Sequence, residues 1–138
     1  MTAAEHAAFL SALCGKTVER TAALGSESRN RVDRVTFEGG GTAILKWYEP
    51  TVDRFWDHRF RREEKVLTLL TTVEPRVAPK PLAGFIVTGG PAALLMEDAG
   101  PVSLADALDA GSVSWGEAAA FAGRLHDAMR RVAPPRRR

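Results

Sequence analysis

The sequence predicts an α+β protein whose strands form an antiparallel sheet. Three runs rich in β-branched and apolar residues, at 17–24, 31–37 and 42–48, follow one another with only turn-like residues between them. Between 53 and 72 the apolar residues recur instead at helical spacings of three and four. Strands joined by short turns run antiparallel, and strands followed by helices are typical of the α+β class.

The segment before these strands predicts a short helix. Thr2 and Glu5 have the spacing of a capping box, and Phe9, Leu10 and Leu13 recur on one helical face. The first element is therefore expected to be an amphipathic helix.

Two turns connect the first three strands. The stretch "GSESRN" at 25–30 has the composition of an ordinary hairpin loop. The stretch "EGGG" at 38–41 is better explained as a turn that requires positive φ, which glycine adopts at little cost, than as a phosphate site.

A helix and two further strands are predicted next. The helix over 53–72 carries five side chains on its apolar face, Phe60, Glu63, Val66, Leu67 and Leu70. A proline-rich connection, which cannot be helix interior, leads to short strands at 82–88 and 92–96. The stretch "EDAGP" then predicts an exposed joint.

The remainder predicts two helices. "SLADAL" is the shorter, and the longer begins with a capping box formed by Ser114 and Glu117. Its predicted apolar face consists of Ala118, Phe121, Ala122, Leu125, Met129 and Val132. The terminal "APPRRR" predicts an unstructured basic tail.

Composition limits the class of protein. The chain has 138 residues, 45% of them hydrophobic and 26% charged, so it is about the size of one folded domain. Its formal charge is only +2, with basic residues concentrated at the end. Cys14 is the only cysteine, which excludes an internal disulfide. With no secretory signal and no long apolar run, we expect a cytoplasmic protein that binds neither membrane nor nucleic acid.

One lysine lies within a strand that is otherwise apolar. Lys46 stands in "TAILKWY", and a lysine in such a position needs a partner or an outlet to water. Glu63 lies seventeen residues further on, on the apolar face of the predicted helix. An ion pair between them would satisfy both groups and fix the ammonium where it can hold a polyphosphate. Alternatively, both are surface charges on unrelated faces.

Five segments in order resemble the N-terminal lobe of kinases of the aminoglycoside phosphotransferase and choline kinase type. They are "RVDRVTFEGGGTAILKWY", "RFRREEKVLTLL", "VAPKPLAGF", "ALLMEDAG" and "AAFAGRLHDA". The resemblance implies a protein-kinase-like lobe, with a five-stranded antiparallel sheet and a packed helix, followed by a hinge and two helices of an incomplete C-terminal lobe. It implies an ATP-binding lobe at 1–98, the hinge and first helices at 99–133, and a disordered basic tail at 134–138.

The resemblance also implies which residues hold ATP. Lys46 would bind the α- and β-phosphates, with Glu63 as its helix partner. Met96 would gate the back of the adenine pocket, while the Glu97 carbonyl accepts from the adenine amino group and the Ala99 N–H donates to the ring. Further implied contacts are the adenine-covering side chains Val32 and Ile44, and Ser26 or Ser28 in the loop over the phosphates.

The sequence contains no catalytic or metal-binding motif of that family. The H-G-D-like catalytic loop and the later metal-binding aspartate are absent, and His126 and Asp127 lie within a strongly periodic helix. Magnesium is therefore expected only as a companion of the nucleotide, without protein ligands. We expect a truncated small-molecule kinase that binds ATP but is inactive alone, with no bound acceptor.

Two other hypotheses remain open. The chain is alternatively a non-catalytic nucleotide-binding or interaction module that pairs with a partner chain. Self-association or partner binding would then use the last helix, through Phe121, Leu125 and Met129. A third reading, a small domain whose arginine-rich tail touches nucleic acid or an acidic partner, is the weakest, because only the tail is basic.

Overall fold

The computed structural model describes residues 3–24, 31–74, 76–100 and 104–132. Its elements, in chain order, are α1 (Ala3–Cys14), β1 (Val18–Ala23), β2 (Val32–Phe37), β3 (Thr42–Tyr48), α2 (Trp56–Leu70), β4 (Pro81–Ile86), β5 (Ala92–Glu97), α3 (Leu104–Asp109) and α4 (Trp115–Val132). The predicted α+β class and the predicted order of elements are confirmed.

The strands form one open antiparallel sheet in the order β1-β2-β3-β5-β4. The first three strands are joined in sequence, whereas β5 lies between β3 and β4. At the β2–β3 turn, Gly39, Gly40 and Gly41 all have positive φ, as the sequence predicted. The Phe37 N–H donates to the Gly41 carbonyl over 3.1 Å and closes this turn.

The chain divides into two compact units. The first consists of Met1–Glu64 and Pro81–Asp98, and the second of Lys65–Lys80 and Ala99–Arg138. The predicted division into 1–98, 99–133 and 134–138 stays a prediction, and the predicted tail lies outside the described residues.

The core of the first unit lies between α1 and one face of the sheet. Its buried residues are Leu10, Val35, Phe37, Ala43, Leu45, Trp47, Ala93 and Leu95. The Phe9 ring of α1 packs 4.5 Å from the Phe85 ring, measured between centroids. Alternate residues of β2 and β3 enter this core, as expected for strands with one face buried against a helix.

The second unit has a smaller core between the end of α2, the segment after it and α4. It contains Leu70, Val73, Val77 and Ala128, with Phe121, Leu125 and Val132 partly buried against them. The predicted face of α4 is wrong in part, because Ala122 is exposed and Met129 is 38% exposed. The buried stripe of α4 instead runs through Phe121, Leu125, Ala128 and Val132, which are spaced four, three and four residues apart.

Several element boundaries differ from the prediction by one to three residues, and two of these differences have clear local causes. The helix predicted from residue 53 begins at Trp56, because the Asp53 carboxylate accepts from the Phe55 N–H over 2.9 Å in the preceding turn. The strand predicted to reach residue 88 ends at Ile86, because the Gly90 N–H donates to the Val87 carbonyl over 2.7 Å and turns the chain.

The α4 helix begins with a capping box. The predicted capping box of α4 is confirmed, since the Glu117 N–H donates to Ser114 Oγ over 3.1 Å and the Ser114 N–H donates to Glu117 Oε1 over 3.3 Å. Thr2, the predicted cap of α1, lies outside the described residues. Within the described ranges, no helix is both long enough and apolar enough to cross a membrane.

Candidate functional site

The register of three strands brings four of the predicted site residues to one face of the sheet. Lys46 on β3 lies opposite Val32 on β2 and opposite Leu94 on β5. Ile44 lies opposite Met96 in the same way. Directly paired residues project from the same face, so Val32, Ile44, Lys46 and Met96 share the face opposite the α1 core.

The Lys46–Glu63 ion pair predicted from the sequence is present. Lys46 Nζ lies 3.1 Å from Glu63 Oε1 and 2.9 Å from Oε2, so the ammonium contacts both carboxylate oxygens. The two side chains are 25% and 33% exposed, which means that the lysine is half-buried and not sealed in the core. An ammonium has three N–H donors, and this arrangement keeps it fixed beside solvent.

Tyr48 is the third member of this cluster. Its ring is 1% exposed and packs edge-on against Phe60 of α2, with centroids 5.6 Å apart. Its hydroxyl donates to Glu63 Oε2, and Lys46 Nζ lies 5.3 Å from its ring centroid. Burial first, then the Glu63 hydrogen bond and the negative charges of Glu63 and Glu64, raise the pKa of Tyr48 well above its ordinary value. The phenol therefore remains a proton donor to Glu63.

Gly84 of β4 leaves room for the carboxylate of Glu64, the residue that follows Glu63. A Cβ atom on Gly84 would overlap Glu64 Oε2 and approach Phe60 Cζ within 3.0 Å. Gly84 pairs with Leu94, so it belongs to the same face of the sheet as Lys46. Lys46 therefore bonds to Glu63, whereas the adjacent Glu64 lies against β4.

The implied adenine contacts differ in burial. Met96 is buried, whereas Val32 and Ile44 are half-buried. Glu97 ends β5 opposite Ala43. The nucleotide roles of these residues and of Ala99 stay predictions, and the implied loop residues Ser26 and Ser28 lie outside the described residues.

A second charged cluster joins β2, β3 and the residue after β5. Arg34 Nε donates to Asp98 Oδ2 over 2.8 Å, and Thr42 Oγ1 donates to the same oxygen over 2.8 Å. The Asp98 side chain is only 10% exposed. Arg34 pairs with Ile44, so its side chain leaves the same face as Lys46.

Side chains that commonly bind metal ions are not clustered in the described ranges. There, no group of three or more histidine, cysteine, aspartate and glutamate side chains is placed to hold a metal ion. His126 and Asp127 are exposed on α4, within the helix that the sequence predicted.

Sequence reasoning missed three parts of this site. Tyr48 could have been found, because it lies two residues after Lys46 and strand residues two apart share a face. Gly84 also carried a signal, since glycine inside a strand often marks a close approach. The Arg34–Asp98 contact had none, because 64 residues separate its partners.

Comparison with known proteins adds no family. No model of a known protein family matches the chain, and no curated protein matches it either. Fold and site therefore define a structural class: an α+β protein with a lysine–glutamate–tyrosine cluster on one face of a five-stranded antiparallel sheet.

Proposed function

We propose that the chain is the nucleotide-binding lobe of an ATP-dependent small-molecule phosphotransferase, similar to the aminoglycoside phosphotransferase and choline kinase family. The observation that carries this proposal is the Lys46–Glu63 pair, reinforced by Tyr48, on a sheet face that also bears apolar side chains. A fixed, partly exposed ammonium beside apolar surface suits a ligand with a polyphosphate and a flat base.

The residues on this face fit ATP. Lys46 would contact the α- and β-phosphates, held in place by Glu63. Val32, Ile44 and Met96 would supply the apolar surface for adenine. The Glu97 carbonyl and the Ala99 N–H would bind the edge of the base.

Bound ATP would supply a transferable phosphoryl group, but these 138 residues lack the groups that would transfer it. None of the three histidines begins an H-G-D sequence, so the catalytic aspartate of the resembling family has no counterpart. Magnesium would arrive only with the nucleotide. We therefore expect nucleotide binding without phosphoryl transfer, and no binding of an acceptor.

Calorimetric titration with ATP, with and without Mg²⁺, tests the proposal. Lys46→Ala is expected to weaken ATP binding by about tenfold or more, because it removes a charge-assisted contact to phosphate. Lys65→Ala is the matched control, since Lys65 is exposed on the same helix as Glu63 and should leave affinity unchanged. Circular dichroism would establish that each variant is folded. A folded chain that binds no ATP, or binds it equally well after Lys46→Ala, would contradict the proposal.

The interaction module is the second candidate function. Trp115 and Met129 on α4 are 77% and 38% exposed, which is unusual for large apolar side chains. Association of the chain with itself or a partner would cover them. Sedimentation as a monomer at high concentration would argue against self-association.

A further inference from the structure

We infer that Arg34, Thr42 and Asp98 form a positioning device for base recognition, which makes the nucleotide site selective for adenine. The inference rests on the proposed function, since it concerns the same site. It assigns roles to three residues that lie apart from the Lys46–Glu63 pair.

Asp98 is bonded to residues of two neighbouring strands. Asp98 Oδ2 accepts two hydrogen bonds of 2.8 Å, one from Arg34 on β2 and one from Thr42 on β3. Both strands belong to the middle of the five-stranded sheet, and the carboxylate is 10% exposed. The Arg34–Asp98 bond is charge-assisted and partly buried, and bonds of this kind are among the stronger polar contacts in proteins, whereas the Thr42 bond is exposed. The first residue after β5 is therefore tied to two strands of a rigid sheet.

Asp98 lies in the chain between the two backbone groups that would contact the base. The Glu97 carbonyl belongs to the peptide before Asp98, and the Ala99 N–H belongs to the peptide after it. Because both peptides are planar, the relative orientation of these two groups depends only on φ and ψ of Asp98. A side-chain anchor at Asp98 restrains those two angles, and so restrains the acceptor and the donor that would contact the base.

Adenine and guanine present different hydrogen-bonding groups to such a pair. Adenine offers an amino donor beside a ring-nitrogen acceptor, which matches a carbonyl followed by an N–H. Guanine offers an oxygen acceptor and a ring N–H donor at the same edge. Its oxygen would face the Glu97 carbonyl, and its N–H would face the Ala99 N–H, so neither pair could form a hydrogen bond. A fixed acceptor–donor pair rejects such a ligand, whereas a mobile pair rejects it less well.

The experiment compares the affinities of ATP, GTP and inorganic tripolyphosphate for the full chain and its variants. Thr42→Val removes one donor to Asp98 without changing charge or β-branching. Arg34→Met removes the Arg34 donor and keeps an aliphatic stem. Arg61→Met is the matched control, because Arg61 donates to Asp57 over the same 2.8 Å in an exposed pair on α2.

Both cluster variants are expected to lower the preference for ATP over GTP by about threefold to tenfold, with tripolyphosphate affinity changed less than about twofold. The control should alter none of the three affinities. An unchanged ATP preference in Thr42→Val and Arg34→Met would overturn the inference and leave the phosphate clamp standing. Equal loss of all three ligands in both variants would also overturn it, because a general loss is not a base effect.

Wild-type behaviour separates this inference from the proposed function. A chain that binds tripolyphosphate through Lys46 but does not distinguish ATP from GTP would refute base positioning alone. A folded chain that binds none of the three ligands would refute both. Loss of tripolyphosphate binding in Lys46→Ala, together with loss of ATP preference in Thr42→Val, would support both.

Discussion

The two faces of the central sheet differ in burial and in charge. The face covered by α1 is sealed, with side chains such as Leu10, Val35 and Leu45 fully buried. The opposite face keeps a lysine and a glutamate partly exposed and bonded to each other. A face that only stabilises the fold needs no contact with water, whereas a face that binds a charged ligand must retain it.

Each face also contains a carboxylate held by two donors, and their burial differs. Asp33, on the sealed face, is 0% exposed and accepts from the Trp47 indole N–H over 3.3 Å and from Arg31. Glu63 is bonded by Lys46 and Tyr48 but remains partly exposed. The buried Asp33 carboxylate is out of reach of a ligand and can only stabilise the fold. Lys46, which binds Glu63, has in contrast a third N–H that is directed to neither oxygen of that carboxylate and can donate to a ligand.

Adjacent residues of β3 offer the largest test of this comparison. Leu45→Ala should lower the free energy of unfolding by about 3 kcal/mol, because it opens a cavity in the sealed core, and should leave ATP affinity unchanged. Ile44→Ala, from the half-buried opposite face, should cost about 1 kcal/mol but weaken ATP binding. Urea denaturation and calorimetry would measure the two effects. Equal stability losses would show that the two faces do not differ as described.

A glycine variant tests how closely α2 packs on the sheet face that bears Lys46. Gly84→Ala should destabilise the protein by about 1–3 kcal/mol, because the new methyl group would overlap Glu64 and press on Phe60. Gly123→Ala is the control, since no atom lies within 4 Å of the methyl position on α4, and it should gain about 0.5–1 kcal/mol. Thermal unfolding would compare them. A Gly84→Ala variant as stable as the wild type would contradict the prediction and would mean that the Glu64 carboxylate and the Phe60 ring can move aside.

Patterns within single elements made much of the fold predictable. Alternation in β3 and three-and-four spacing in α2 placed Lys46 in a largely apolar strand and Glu63 on the apolar face of a helix. These patterns left open whether the two groups pair, and the structure shows that they do. The buried stripe of α4 was mispredicted because Ala128, a small residue, lies at its centre while the larger Met129 is exposed. Size and hydropathy favour the methionine, but packing space favours the alanine.

Contacts that depend on register could not be predicted in the same way. Thr42 and Asp98 are 56 residues apart, and they meet only because β5 inserts between β3 and β4 and ends beside β3. No local pattern in either segment encodes that strand order. The resemblance to kinases implied a hinge after β5. The contacts of Arg34 and Thr42 with Asp98, which would hold such a hinge, are seen only in the structure.

The smallest effect concerns Tyr48, and the sequence makes it directly measurable. Tyr48 is the only tyrosine of the chain, so the near-ultraviolet absorbance of tyrosinate reports on this one hydroxyl. In the unfolded chain it should ionise near pH ~10. In the folded protein burial and the Glu63 contact raise its pKa, so ionisation should be delayed well beyond that pH.

The sign of the pH dependence follows from that difference. Above the unfolded pKa, the unfolded chain loses the proton while the folded chain keeps it, so stability falls as the pH rises. Glu63→Gln should shift the native ionisation back towards its ordinary pH, because it removes the adjacent negative charge. Tyr48→Phe should remove this part of the alkaline stability loss and cost about 1 kcal/mol at neutral pH through the lost hydrogen bond. A native tyrosine that ionises at its ordinary pH would mean that Glu63 is held by Lys46 alone.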